Sequence, residues 1–285
     1  MDTMPKPKRA MIIEDITGAG KCSLTVALPI LSVAGVECAV LPTAVLSTHP
    51  AGFTGYTYRD LTADLLPMAR HWKREGLRFD ALYSGFLGSV EQLEIVEHIL
   101  EEHRSSETFV LIDPVMGDNG RLYSMYNERM IAGMRRLCRL ATVLTPNVTE
   151  AAFLTGLPYR EGPYTPAYID ELMQALGDFG AAVVLTGVYY DERRIGAVCR
   201  EANAQKTQSV WSDKLPSYYH GTGDVFSAAL LAGLLGDRSL AQAAQLAVDF
   251  TCESIRRTAQ AGTPEREGLL FEKGLVAFGQ QFVQA

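Results

Sequence analysis

No apolar run in this sequence approaches the roughly 20 residues that a membrane-spanning helix needs. Positive charge is also short: 26 Lys and Arg stand against 33 Asp and Glu, for a net charge of -7. That balance gives no broad basic field for nucleic acid or an anionic membrane, so neither is an expected partner and any bound polyanion is small. Cysteine is sparse. Cys22, Cys38, Cys138, Cys199 and Cys252 are scattered with no CxxC pair, which points to a reducing, cytoplasmic compartment. The leading MDTMPKPKR lacks the apolar stretch of a secretory segment, and residues 1–8 read as a flexible, solvated tail. Internal repeats and low-complexity linkers are missing too, so a single domain over 1–285 is expected. At 285 residues and 47% hydrophobic composition, that domain can bury a sizeable core.

What is present is a persistent alternation. Apolar runs at 10–13, 36–41, 81–83, 109–112, 142–144 and 182–185 read as strands, separated by helical patterns at 23–34, 65–75, 90–103, 128–138, 151–154 and 168–179. Continuous apolar strands of this kind are buried on both faces, which predicts an α/β fold with a mainly parallel, doubly wound sheet. Residues 194–199 and 207–211 alternate like an edge hairpin, and helical stretches at 225–235, 240–257 and 269–282 close the chain. The Gly-, Thr- and aromatic-rich stretch 42–56 reads as a long loop covering a site, with His49 either a structural hydrogen-bonder or a ligand contact.

Two familiar nucleotide signatures fail. In Gly18-Ala19-Gly20-Lys21-Cys22-Ser23, Cys22 stands where a P-loop needs Ser or Thr after the lysine, and Ser23 where GxGxxG needs its third glycine. The chemistry centres instead on Gly221-Thr222-Gly223-Asp224, just ahead of an apolar helical run. Bare N–H groups at a helix N-terminus make an anion site, and glycine lets the backbone approach phosphate closely. Asp224 at its edge could accept the proton of an attacking hydroxyl. The same residues also read as a capped core helix. Asp113-Pro114-Val115-Met116-Gly117-Asp118 follows a buried strand and suits a divalent metal or its water shell, or else an ordinary Asx turn. Asn147 and Glu150, one helical turn apart, could face a magnesium phosphate, Glu150 through water, or Thr149 or Asn147 could simply cap the helix that follows. Asp15, Ser84, Asp113, Asn147, Thr186 and Asp224 each fall just beyond an apolar run. A doubly wound sheet gathers such positions along one edge, and that convergence favours phosphoryl transfer.

These strings together resemble the ribokinase superfamily and, within it, the vitamin B6 kinases. GTGD at 221–224 is similar to that family's anion hole and catalytic base, TPNVTE at 145–150 to its metal-side motif, and DPVMGD at 113–118 to its ATP-side loop. DITGAGKCSLTVALPIL, PTAVLSTHPAGFTGYT and HGTGDVFSAALL look like a bacterial pyridoxal or pyridoxamine kinase branch. The resemblance covers nearly the whole chain. It implies a three-layer α/β/α fold, a homodimer, and ATP-dependent phosphorylation of the 5'-hydroxymethyl group of pyridoxamine, pyridoxal or pyridoxine. Asp224 would be the base, with Gly221, Thr222 and Gly223 as anion hole. Asn147, Glu150 and Asp113 would address hydrated Mg²⁺; a monovalent-cation requirement stays open. Asp118, Tyr123, Thr145 and Thr186 would line the nucleotide side, with Leu215 against adenine. Asp15, Ser47, His49 and Phe86 would line the B6 pocket. Two departures stand out: Asp15 replaces the Ser of many pyridoxal kinases, and Phe86 their Tyr. Asp15 would pair with the protonated pyridine nitrogen or the amine of pyridoxamine. A carboxylate there is also similar to hydroxymethylpyrimidine kinases, which keeps a thiamin-precursor kinase as the alternative. A non-catalytic B6- or nucleotide-binding relative would lack the base or the metal-side residues, and here all are present.

Overall fold

Along β1 (Arg9–Ala19) successive side chains leave opposite faces of the strand, and both faces are buried through Asp15. Ala10 and Ile12 join one apolar cluster, Met11 and Ile13 another. The computed structural model describes residues 6–216 and 219–283. The expected tail therefore lies partly outside the described residues, and Lys6, Pro7 and Lys8 are exposed.

After β1 come α1 (Leu24–Val33), β2 (Glu37–Thr48), β3 (Tyr58–Asp60), α2 (Thr62–Arg74), β4 (Ala81–Ser84), α3 (Val90–His103) and β5 (Phe109–Ile112). A two-stranded hairpin, β6 (Gly117–Asp118) and β7 (Arg121–Leu122), precedes α4 (Glu128–Cys138), β8 (Val143–Leu144), α5 (Val148–Thr155) and α6 (Pro166–Leu176). The chain then runs through β9 (Ala182–Val188), β10 (Arg194–Arg200), β11 (Gln208–Asp213), α7 (Thr222–Leu235), α8 (Leu240–Ala261) and α9 (Leu275–Gln280). The nine-stranded sheet has the order β11-β10-β9-β8-β5-β4-β1-β2-β3. From β9 to β2 the strands are parallel; β10, β11 and β3 are antiparallel at the two edges. One cluster packs α1, α7, α8 and α9 against the sheet, the other α2 to α6. The result is the three-layer α/β/α fold that the alternation and the resemblance imply. α7 is buried on every side from Val225 to Leu235, as a helix apolar all round must be.

Three expectations about element bounds are corrected. β1 and β2 run past their expected ends to Ala19 and Thr48 and stay paired there, Thr17 with Leu46 and Ala19 with Thr48. The glycine and proline read as breakers are accommodated. Pro42 sits opposite Glu14 at the register shift, and Gly18 lets the β2 backbone lie so close that a Cβ would be 3.1 Å from the Ser47 carbonyl. The first part of the expected covering loop, 42–48, is thus strand while 49–56 is not, and the turn after β1 falls at Gly20 to Ser23. α7 begins at Thr222 rather than 225, which puts Gly223 and Asp224 inside its first turn. The expected helix over 269–282 is reduced to α9 with 3₁₀ turns ahead of it.

Candidate active site

The carboxyl ends of β1, β5 and β8 and the N-terminus of α7 meet in one place. Gly221 caps α7 with φ 80°, and a Cβ there would lie 2.3 Å from the Lys21 carbonyl oxygen, so only glycine fits against the turn after β1. Gly223 is exposed. The first-turn N–H groups of a 14-residue helix therefore open toward solvent with the positive end of the helix dipole behind them.

Asp224 is half-buried beside them. Its Oδ2 accepts from the Ser23 N–H at 2.8 Å. Burial lifts its pKa to about 6; the Ser23 hydrogen bond opposes this and the Asp15 charge adds to it. Asp113, at the end of β5, accepts from the Ser227 hydroxyl at 2.8 Å, and Ser227 lies 3.1 Å from the Thr145 hydroxyl. Burial, then the Asp224 charge, raises Asp113 to about 7. Ser227 thus ties α7 to β5 and to the residue after β8. It was not singled out in the sequence, although it lies one helical turn beyond Asp224 and so on the same side.

Glu14 was also passed over. It is fully buried, and neither carboxyl oxygen makes a hydrogen bond of good geometry. Its pKa lies well above the usual range, first through burial, then through the charges of Asp224, Asp15 and Asp113, with the Tyr83 hydroxyl opposing. Burial of this kind favours the neutral carboxyl.

On the metal side, Asn147 caps α5. Its Oδ1 accepts from the Glu150 N–H at 2.9 Å, while a Glu150 oxygen accepts from the Asn147 N–H at 2.8 Å, completing a capping box. The other Glu150 oxygen accepts from the Met116 N–H at 3.2 Å, and Asn147 Nδ2 donates to the Gly117 carbonyl at 3.0 Å. Thr186 pairs with Asn147 across β9. These bonds weld the 113–118 loop to α5. Asp118 accepts from the N–H and side chain of Asn119, and Tyr123 is exposed beyond it. Among the described residues no group of three or more His, Cys, Asp or Glu side chains is arranged to hold a metal ion.

On the opposite side, both Asp15 oxygens accept hydroxyl hydrogens, from Ser23 at 2.7 Å and from Thr17 at 2.8 Å. Its pKa is nonetheless raised by burial. His49 is buried, with Nε2 2.8 Å from the Arg266 carbonyl and no hydrogen-bond partner for Nδ1 among the described residues. Phe53 meets the His49 ring edge-on, and His220 lies 5.3 Å from it. Desolvation lowers the His49 pKa, which favours the neutral ring. Phe86 packs near Tyr126. Ser47 is exposed and accepts from the Thr57 N–H, and Leu215 is half-buried between β11 and α7. Asp15, Thr145, Asp113 and Asp224 are thus brought together through serine bridges.

Residues 28–267 match the model of a family described as phosphomethylpyrimidine kinase. The crystal structure of pyridoxal kinase from Lactobacillus plantarum shares 33% identity with the chain, covers 96% of it and 97% of its own length, and superposes with a TM-score of 0.88. The chain belongs to the pyridoxal kinase family of the ribokinase superfamily. A crystal structure from Bacteroides thetaiotaomicron, obtained with pyridoxal, resembles this family member at 36% identity over 96% of each chain, with a TM-score of 0.90. The pyridoxine/pyridoxal/pyridoxamine kinase of Bordetella bronchiseptica is 29% identical over 92% of this chain and 93% of its own.

Proposed function

We propose that the chain transfers the γ-phosphoryl group of ATP to the 5'-hydroxymethyl group of pyridoxamine, pyridoxal or pyridoxine. The observation that carries this reading is the open N-terminus of α7 with Asp224 in its first turn. The hydroxyl proton passes to Asp224 as the new O–P bond forms and the bond to the departing ADP breaks. The N–H groups of Gly221, Thr222 and Gly223 lie where negative charge on the moving phosphoryl would be stabilised. Thr145, Asn147, Thr186, Asp118, Tyr123 and Leu215 would bound the nucleotide, and Asp15, Ser47, His49 and Phe86 the vitamer. The relatives named above act on, or were crystallised with, compounds of this class.

Magnesium would neutralise phosphate charge when it binds with the nucleotide. Both Glu150 oxygens are engaged by backbone N–H groups, which fits contact through water for Glu150, Asn147 and Asp113 rather than a closed cage of protein ligands. The exposed Val45, Tyr56 and Tyr58 of the β2–β3 edge suit a second copy of the chain.

The test is an ADP-release assay with MgATP and four acceptors: pyridoxamine, pyridoxal, pyridoxine and hydroxymethylpyrimidine. Turnover on the B6 compounds with little on the pyrimidine is expected. The family's description favours one second reading, hydroxymethylpyrimidine as acceptor, and the reverse ranking would establish it. No turnover on any of the four would leave a binding protein.

A further inference from the structure

Ser23 occupies a backbone conformation, φ 54° and ψ -132°, that residues other than glycine rarely adopt. It stands at the N-cap of α1, where a serine hydroxyl ordinarily accepts from its own helix. Here it makes no such cap. The hydroxyl instead donates to Asp15 Oδ1 at 2.7 Å, while the second Asp15 oxygen is held by Thr17. The backbone of Ser23 bridges to Ile16, and its carbonyl receives the N–H groups of Val26 and Ala27 that start α1. Its own N–H points to Asp224 at 2.8 Å. One residue therefore joins the end of β1, the start of α1 and the start of α7.

We propose that Ser23 is a positioning residue for phosphoryl transfer: its bond to Asp15 holds residue 23 in a glycine-like backbone so that its N–H fixes the Asp224 carboxylate. This rests on Asp224 being the base. With Oδ2 anchored by that N–H, the rotation of the carboxylate is set and Oδ1 is the oxygen left to receive the hydroxyl proton. Asp15 acts here as the brace of a turn. An ordinary Ser N-cap would spend its hydroxyl on α1 and leave the turn free to relax, swinging the N–H away from Asp224.

Ser23→Ala and Ser23→Gly separate the two elements of this arrangement. Alanine loses the tether and keeps the side-chain restriction on the backbone, whereas glycine loses the tether and adopts the conformation without strain. Steady-state kinetics with pyridoxal and MgATP, alongside thermal melts, supply the readout. Ser23→Ala is expected to lose about tenfold to a hundredfold in kcat, the scale of a small misplacement of a reacting group, with both KM values within about twofold of native. Ser23→Gly is expected to recover most of that loss. A native kcat in Ser23→Ala overturns the proposal, and so do equal losses in both variants, which would assign the effect to the hydroxyl or to packing. If the alanine variant does not fold, Ser23→Gly decides alone: a kcat below about a tenth of native overturns the proposal. Asp224→Asn, measured in parallel, isolates the premise. Full turnover in that variant removes the base itself, and with it the reason for positioning it.

Discussion

As the proposed base, Asp224 combines two demands that oppose each other: it must be dry enough to hold a proton near neutrality, yet charged enough to take one. Burial lifts it from the ordinary carboxylate range to about 6, and the Ser23 N–H keeps it from rising further. A base works only when deprotonated, so kcat/KM should fall about tenfold per pH unit below about pH 6 and level off above it. Rates between pH 5 and 8 check this; an acid limb near pH 4 would show that the carboxylate is not raised in the working enzyme. Asp224→Asn should retain ATP binding while lowering turnover by roughly 10² to 10⁴. At Asp15 the bonds to Ser23 and Thr17 already engage both oxygens, so Asp15→Ser should lower turnover on pyridoxal and pyridoxamine alike. A loss confined to pyridoxamine would instead reveal an ion pair with its amine. Asp224, Asp113 and Asp15 were legible because each follows an apolar run in a region of glycine or proline. Glu14, Ser23 and Ser227 were not. Nothing in a chain of letters says that a glutamate at the end of a strand is fully buried, or that a serine N-cap has turned its hydroxyl elsewhere.

Among the elements, α5 and α7 carry the most of the site. The capping box of α5 uses the same two side chains that the sequence offered for metal contact. Asn147→Ala should therefore cost about 1 kcal/mol from the cap alone, more if Glu150 is left without its backbone partner. Urea unfolding of the variant measures this; an unchanged midpoint would mean that the cap contributes nothing to stability. Gly221→Ala meets two obstacles at the head of α7, a φ of 80° and a Cβ 2.3 Å from the Lys21 carbonyl. It should destabilise by about 1–3 kcal/mol and reduce turnover together, because relief requires the α7 terminus to move off the β1 turn. The spacing offered Thr149 or Asn147 as the α5 cap, since a cap is a local device, but only the backbone around them shows that it is Asn147. The extension of β1 and β2 could not be read from the sequence, because Gly18 and Pro42 look like breakers until a neighbouring backbone is seen lying against them.

Over the whole molecule, Glu14, Asp15, Asp113, Glu150 and Asp224 have their pKa values raised by burial. For such groups the folded state holds its proton more tightly than the unfolded one. The stability they contribute is fully present below the unfolded pKa and is lost as pH rises toward the folded value. Among the described residues Glu14 makes no hydrogen bond of good geometry, and it has no role in the proposed transfer, which makes it the clean probe. Glu14→Gln keeps the shape and removes the ionisation, so its Tm relative to native should climb as pH rises above the model-peptide value of about 4.3. A Tm difference that stays flat with pH would mean that Glu14 is charged or screened in the folded protein.

Hydrophobic patterning by itself determined the alternation of the principal elements and the parallel sheet, because burial on two faces leaves a periodicity that needs no partner to be recognised; the two- and three-residue strands β3, β6 and β7 are too short to leave one. Glycine beside aspartate likewise marked the head of α7, since both the bare N–H groups and the helix start are local properties. Only the tertiary structure decided which carboxyls are dry, which hydroxyls bridge them, and which backbone must be glycine. Those depend on groups distant in sequence, such as Ser23 on Asp224 and Asp113 on Ser227. A hydrogen bond or a desolvation cost is set by what lies within a few ångströms, and only folding brings those neighbours together.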